Sequence, residues 1–216
     1  MTSFVLLLAL SKTTLANPPT AEPQLISRPA GVTTNTAVTT RSVIINSLVE
    51  AALYSEHQGN LHLIKPGSLE FPQAVTASLL ELVVSQEADN FKVGTPSLDE
   101  TQSSLAKVKA EVGQVSGWKE MEVNDNELSL LIARKTKAKK FIRFKTESTQ
   151  VSITDTEAKD YFDKNKNKFG NLPFSQFRDN IKSLLAKQQL DLRLREWFEV
   201  LKKKYSVRNL ELERKM

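Results

Sequence analysis

Cysteine is absent from the 216 residues. That excludes disulfide staples, thiol nucleophiles and thiolate metal sites. Histidine is nearly absent: His57 and His62 are the only two, in a stretch punctuated by Gly59, Pro66 and Gly67. Neither has a partner at i+4, so both read as loop residues and no metal is expected. No Ser/His/acid set follows from two loop histidines. The seven glycines are scattered, which excludes a Gly-rich phosphate loop. Carboxylates occur mainly as helix caps and surface partners. Asp160 and Asp163 flank Tyr161 and Phe162, but paired catalytic carboxylates need a pocket and none is signalled. The expectation is a non-enzyme without a cofactor.

Charge of one sign is scarce in each part of the chain. Residues 1–123 hold eight Lys and Arg against twelve Asp and Glu; residues 124–216 hold 22 against 13. The basic back half leaves open attraction to anionic lipid or another acidic partner. Its densest run is Arg134, Lys135, Lys137, Lys139, Lys140, Arg143 and Lys145. Phe141 and Phe144 interleave with it, the combination that binds phosphate and stacks on bases. They share the apolar side of the same predicted helix, however, so core packing explains them better and no nucleic acid is expected.

The one unbroken apolar run at the start, residues 4–10, is too short to span a bilayer. Followed by Thr14-Leu15-Ala16, it resembles a secretory signal over residues 1–16, cleaved after Ala16, although no Lys or Arg precedes it. A periplasmic location follows from that reading. Residues 17–37 carry four prolines and many threonines and read as an extended tether.

Beyond the tether the pattern is helical. Thr39 and Thr40 can cap a helix whose 3.6-residue period runs through Val43, Ile44, Leu48 and Ala52. A second helix starts near Ser68, tolerates Pro72 in its first turn and is apolar over more than half its girth. Ser97-x-x-Glu100 and Thr154-x-x-Glu157 have capping-box spacing, and Asn124-x-x-Glu127 reads as another cap. Trp118 and Met121 lie on a short turn between helices. Residues 206–210 are β-compatible and could pair with the segment around Val38.

The longest element is predicted over residues 174–205, entered through Pro173. Phe177, Ile181, Leu184, Leu194, Phe198, Leu201 and Tyr205 share one face, interrupted by Gln188 and Asp191. Such a helix spans roughly 45 Å. Its stripe must be covered by the segments that precede it, or by a second copy in a homodimer.

The order of these segments resembles the SurA / parvulin-type family of periplasmic chaperones. The resemblance rests on Leu82-Val83-Val84-Ser85-Gln86-Glu87-Ala88, a capping-box helix, the Trp-bearing turn and Phe141-Ile142. It continues through Val151-Ser152-Ile153-Thr154, Tyr161-Phe162-Asp163-Lys164-Asn165, Pro173-Phe174 and Trp197-x-x-x-Leu201. It implies a mostly α chaperone domain over residues 38–212, with a long C-terminal helix and a small two-strand pairing of the ends. In the enzymes of that family an isomerase domain sits before the final helix. Here residues 165–173 fill that place as a loop, so no catalytic residue carries over. The implied activity is holding unfolded envelope or outer-membrane proteins in an apolar groove. Trp118, Met121, Phe141, Phe144 and Trp197 are the candidate client-binding residues. The rival readings are an adaptor for one folded envelope partner and a degenerate prolyl isomerase.

Overall fold

The computed structural model describes residues 27–54, 61–149 and 151–214. The expected leader, the first part of the tether and His57 lie outside these residues. The described chain is mostly helical, with seven α-helices and a three-stranded antiparallel sheet.

The sheet joins the two ends of the described chain. Strand β1 (Pro29–Val32) is central, flanked by β2 (Ala37–Thr39) and β3 (Arg208–Asn209). Two expectations are corrected here. Residues 29–32, read as tether, form a strand; Pro29 is tolerated because it is the first strand residue. And β3 pairs with β1, through Gly31↔Asn209 and Val32↔Arg208, not with the segment at Val38. Val38 pairs with Gly31 from the other side. Gly31 lets this happen: a Cβ there would lie 2.7 Å from Leu79 Cδ1 and 3.1 Å from the Arg208 carbonyl oxygen. Asn209 ties the C-terminal end down further. Its Nδ2 donates to the Pro72 carbonyl at 2.7 Å and to Thr76 Oγ1 at 2.8 Å.

The helices follow the caps read from the sequence. After α1 (Thr40–Tyr54) and α2 (Phe71–Phe91), the Ser97 capping box opens α3 (Leu98–Val112). Asn124 caps α4 (Asp125–Ser148), and the Thr154 capping box opens α5 (Asp155–Lys164). In each cap a side-chain oxygen satisfies an amide that has no partner inside the helix. Helix α2 is central, touching the sheet, α1, α4 and the end of α6 (Arg178–Lys204); α7 (Leu210–Glu213) closes the chain.

Helix α6 is not covered along its whole stripe, as the sequence pattern led us to expect. It is gripped at both ends. Trp197, Phe198, Leu201 and Tyr205 join Val83, Val84, Ala88, Ala138 and Phe141. Ile181 and Leu185 join Ile153, Ala158 and Phe162. Leu190 and Leu194 belong to neither cluster, and Leu192 is 56% exposed. The polar residues Gln188 and Asp191 fall in this open stretch. So α5 and the first half of α6 form an arm, and the second half of α6 roots it in the body. Between α5 and α6 lie only two short 3-10 turns, Lys166–Lys168 and Phe174–Gln176. Their rings fold back on Phe162, with Phe169 and Phe174 centroids at 4.9 and 5.7 Å.

The root of the arm is fastened by charge. Glu87 of α2 is buried and accepts hydrogen bonds from the Lys204 ammonium and the Tyr205 hydroxyl. Burial pushes its carboxyl up, but these donors outweigh burial and hold it below its ordinary 4.5. A carboxyl held low when folded adds stability that is complete above its unfolded value and lost as pH falls through the folded one. Glu87→Gln should therefore lower the melting temperature at pH 7 and flatten its decline between about pH 5 and pH 3. Thermal unfolding followed by circular dichroism across that range checks it; parallel curves would assign the acid sensitivity elsewhere.

Candidate functional site

The small residues of α2 leave space that its neighbours do not fill. Val75, Leu79, Leu82 and Val83 are buried in the core, whereas Ala74, Ala77 and the buried Ser78 border the groove. Against these short side chains, α1 and α4 leave an open groove of about 450 Å³. That volume is within the range of ligand-binding clefts. Its floor is apolar: Ala77, Leu80 and Val84 of α2, Ala138 and Ile142 of α4, with Phe198 of α6 at one end.

One wall is charged and its charges are used up internally. Lys135 of α4 is 3% exposed, and its ammonium bridges Glu50 of α1 and Glu81 of α2, at 2.7 Å each. Arg134 Nε donates to Glu81 at 2.7 Å. Asn46 of α1 donates to Ser78 Oγ at 2.8 Å. Lys135, part of the basic run in the sequence, is therefore buried and paired inside the body. At the lip, the Lys139 ammonium lies 3.5 Å from the centre of the Tyr54 ring. Burial, then the nearby Glu50 charge, pushes the Tyr54 hydroxyl up to about 12, so it stays neutral. The groove thus offers an occupant apolar surface, with fixed charge along one side only.

The five candidate client-binding residues do not line this groove. Trp118 and Met121 pack, half-buried, against the cluster of α1, α3 and α4. The Met121 carbonyl accepts two hydrogen bonds from Arg41. Phe141, Phe144 and Trp197 do come together, at the far end of α4. Phe141 is fully buried, with Phe144 and Trp197 centroids 6.1 and 6.0 Å away. Its place in the core removes it from any client surface. Phe144 is 40% exposed and Phe91, which sequence reasoning missed, is 55% exposed. Trp197 faces this aromatic patch while its neighbour Phe198 reaches the groove. In the sequence the groove is marked only by the short side chains of Ala74, Ala77 and Ser78, which carry no hydrophobic signal of their own.

Among the described residues no three His, Asp or Glu side chains are placed to hold a metal ion, and no helix is long and apolar enough to cross a membrane. His62 is exposed, 3.8 Å from Glu70. No protein-family profile, curated protein or solved structure matches the chain.

The charge network should tie the helices around the groove together. Lys135→Met removes the shared partner of Glu50 and Glu81 while keeping the volume. Glu81 keeps Arg134, so the expected cost is about 2–3 kcal/mol, below that of a fully orphaned buried charge. Urea unfolding measures it. A change under about 0.5 kcal/mol would place Lys135 among ordinary surface lysines.

Proposed function

We propose that this protein is a client-holding chaperone module of the SurA type, acting in the periplasm on unfolded envelope or outer-membrane proteins. An extended apolar segment lies in the α1–α2–α4 groove, and the exposed rings of Phe91 and Phe144 give a second apolar foothold across α6. The observation that carries this reading is the groove itself: open, apolar on its floor, walled by small side chains and bounded by an internally neutralised charge network. Such a surface holds apolar chain weakly and without sequence choice, as a holdase must. The order of capped helices, the Trp-bearing turn and the long last helix support the SurA-like assignment. The apolar run at residues 4–10 supports export. No prolyl isomerisation is proposed, because the α5–α6 connection is a loop with two 3-10 turns and supplies no candidate catalytic set.

Ala77→Trp tests this. Ala77 is exposed on the groove floor, so the indole fills the groove without disturbing the core. The wild-type protein should suppress aggregation of a urea-denatured outer-membrane protein at a few-fold molar excess. The variant, with unchanged melting, should need about tenfold more, the loss of roughly 1.4 kcal/mol of binding. Equal suppression by both proteins, or none by wild type at any ratio, would refute a holding role for the groove. Recovery of one folded partner in fixed stoichiometry would favour the adaptor reading instead.

A further inference from the structure

The tip of the arm gathers several cations into one short stretch of chain. In the body, cations of α4 and α6 meet acids of the front half: Lys137 with Asp89, Lys140 with Glu100, Lys204 with Glu87. The tip is different. From Lys164 to Arg178 the chain has four cations and no acidic residue, with Asp163 and Asp179 at its two ends and Arg178 paired to Asp179 at 3.1 Å. Lys164 and Lys168 make no ion pair among the described residues, and Lys166 has only a 3.5 Å pair with the exposed Asp163. Amid these lysines Leu172 stands 50% exposed. The nearby rings of Phe169 and Phe174 are turned inward onto Phe162.

We propose that the arm tip is a docking surface for an anionic lipid bilayer. The chemistry required is a cluster of cations with one apolar residue to insert, and the tip presents both. Lysines near an anionic leaflet add to its attraction individually, each by about fivefold in partitioning, and the effect falls off within a Debye length. Leu172 adds a contribution that salt does not screen. A nucleic acid is disfavoured by the same geometry. The tip has no groove to track a phosphate backbone, and its rings are stacked on one another, so none is free for a base. The open stretch of α6 holds the tip away from the body. Docking would therefore leave the α1–α2–α4 groove accessible, and this inference stands whether or not that groove holds clients.

The test is co-sedimentation of the full chain with vesicles. Wild type should bind vesicles of 70% zwitterionic and 30% anionic phospholipid, bind purely zwitterionic vesicles at least tenfold more weakly, and lose most binding at 0.5 M salt. The triple variant Lys164→Gln/Lys166→Gln/Lys168→Gln should bind about a hundredfold more weakly, the product of three such factors. Leu172→Ser should weaken binding severalfold at both salt concentrations. Lys203→Gln, an exposed cation of α6 away from the tip, should bind like wild type, and all variants should melt like wild type. Four results would each overturn the proposal. They are failure of wild type to bind anionic vesicles, equal binding to the two vesicle types, undiminished binding by the triple variant, and binding of a 20-mer DNA as tight as that of anionic vesicles at the same salt.

Discussion

Helices α1, α4 and α6 are fastened to one another through the acidic residues of α2. Glu81, Glu87 and Asp89 of α2 receive Arg134 and Lys135, then Lys204 with the Tyr205 hydroxyl, then Lys137. Glu50 of α1 shares Lys135 with Glu81. A buried ion pair gains little over a well-packed apolar pair, but a buried charge without its partner is costly. Slipping α4 or α6 by one turn along α2 would strand several such charges. The pairs thus penalise wrong registers of three helices more than they stabilise the right one. Part of the charge imbalance between the front and back of the chain is spent in this way.

The same constraint shapes the functional surface. Lys135 ties α4 to both α1 and α2, and the short side chains of Ala74 and Ala77 leave the space beside this link unfilled. A groove remains where a packed seam would otherwise form. On the other side of α6 the core closes normally around Phe141, and only Phe91 and Phe144 stay in solvent. The two apolar surfaces therefore have different origins. One is a gap left beside small side chains, the other a margin of the core.

Helix α6 carries the body's order outward. A 27-residue helix extends about 40 Å. It is held at its root by Leu201 and Glu87 and at its far end by the Phe162 cluster. The stretch between has helical hydrogen bonds but few apolar contacts, the pattern of a segment that opens locally at low cost. The arm's own core is ring on ring: Phe162 touches Phe169, Phe174 and Phe177 with centroids between 4.9 and 6.3 Å. That cluster explains why a Lys- and Asn-rich loop is ordered at all.

Local chemistry was legible from residues alone. Ser97, Asn124 and Thr154 each start a helix because a side-chain oxygen can reach an amide three positions on, whatever lies elsewhere in the chain. The 3.6-residue spacing of Val43, Ile44 and Leu48, and of Val75, Leu79 and Leu82, likewise fixed which faces turn inward. What residues alone left undecided was which surfaces meet. Periodicity says that α6 has an apolar face, not that only its two ends find partners. A lysine within a basic run looks solvated until two glutamates from other helices converge on it. A pair of β-compatible ends cannot reveal that a third strand, made possible by Gly31 above Leu79, lies between them. Contacts within four residues are dictated by the covalent chain, whereas the groove, the buried charges and the uncovered span of α6 depend on residues dozens of positions apart, and only packing in three dimensions chooses among them.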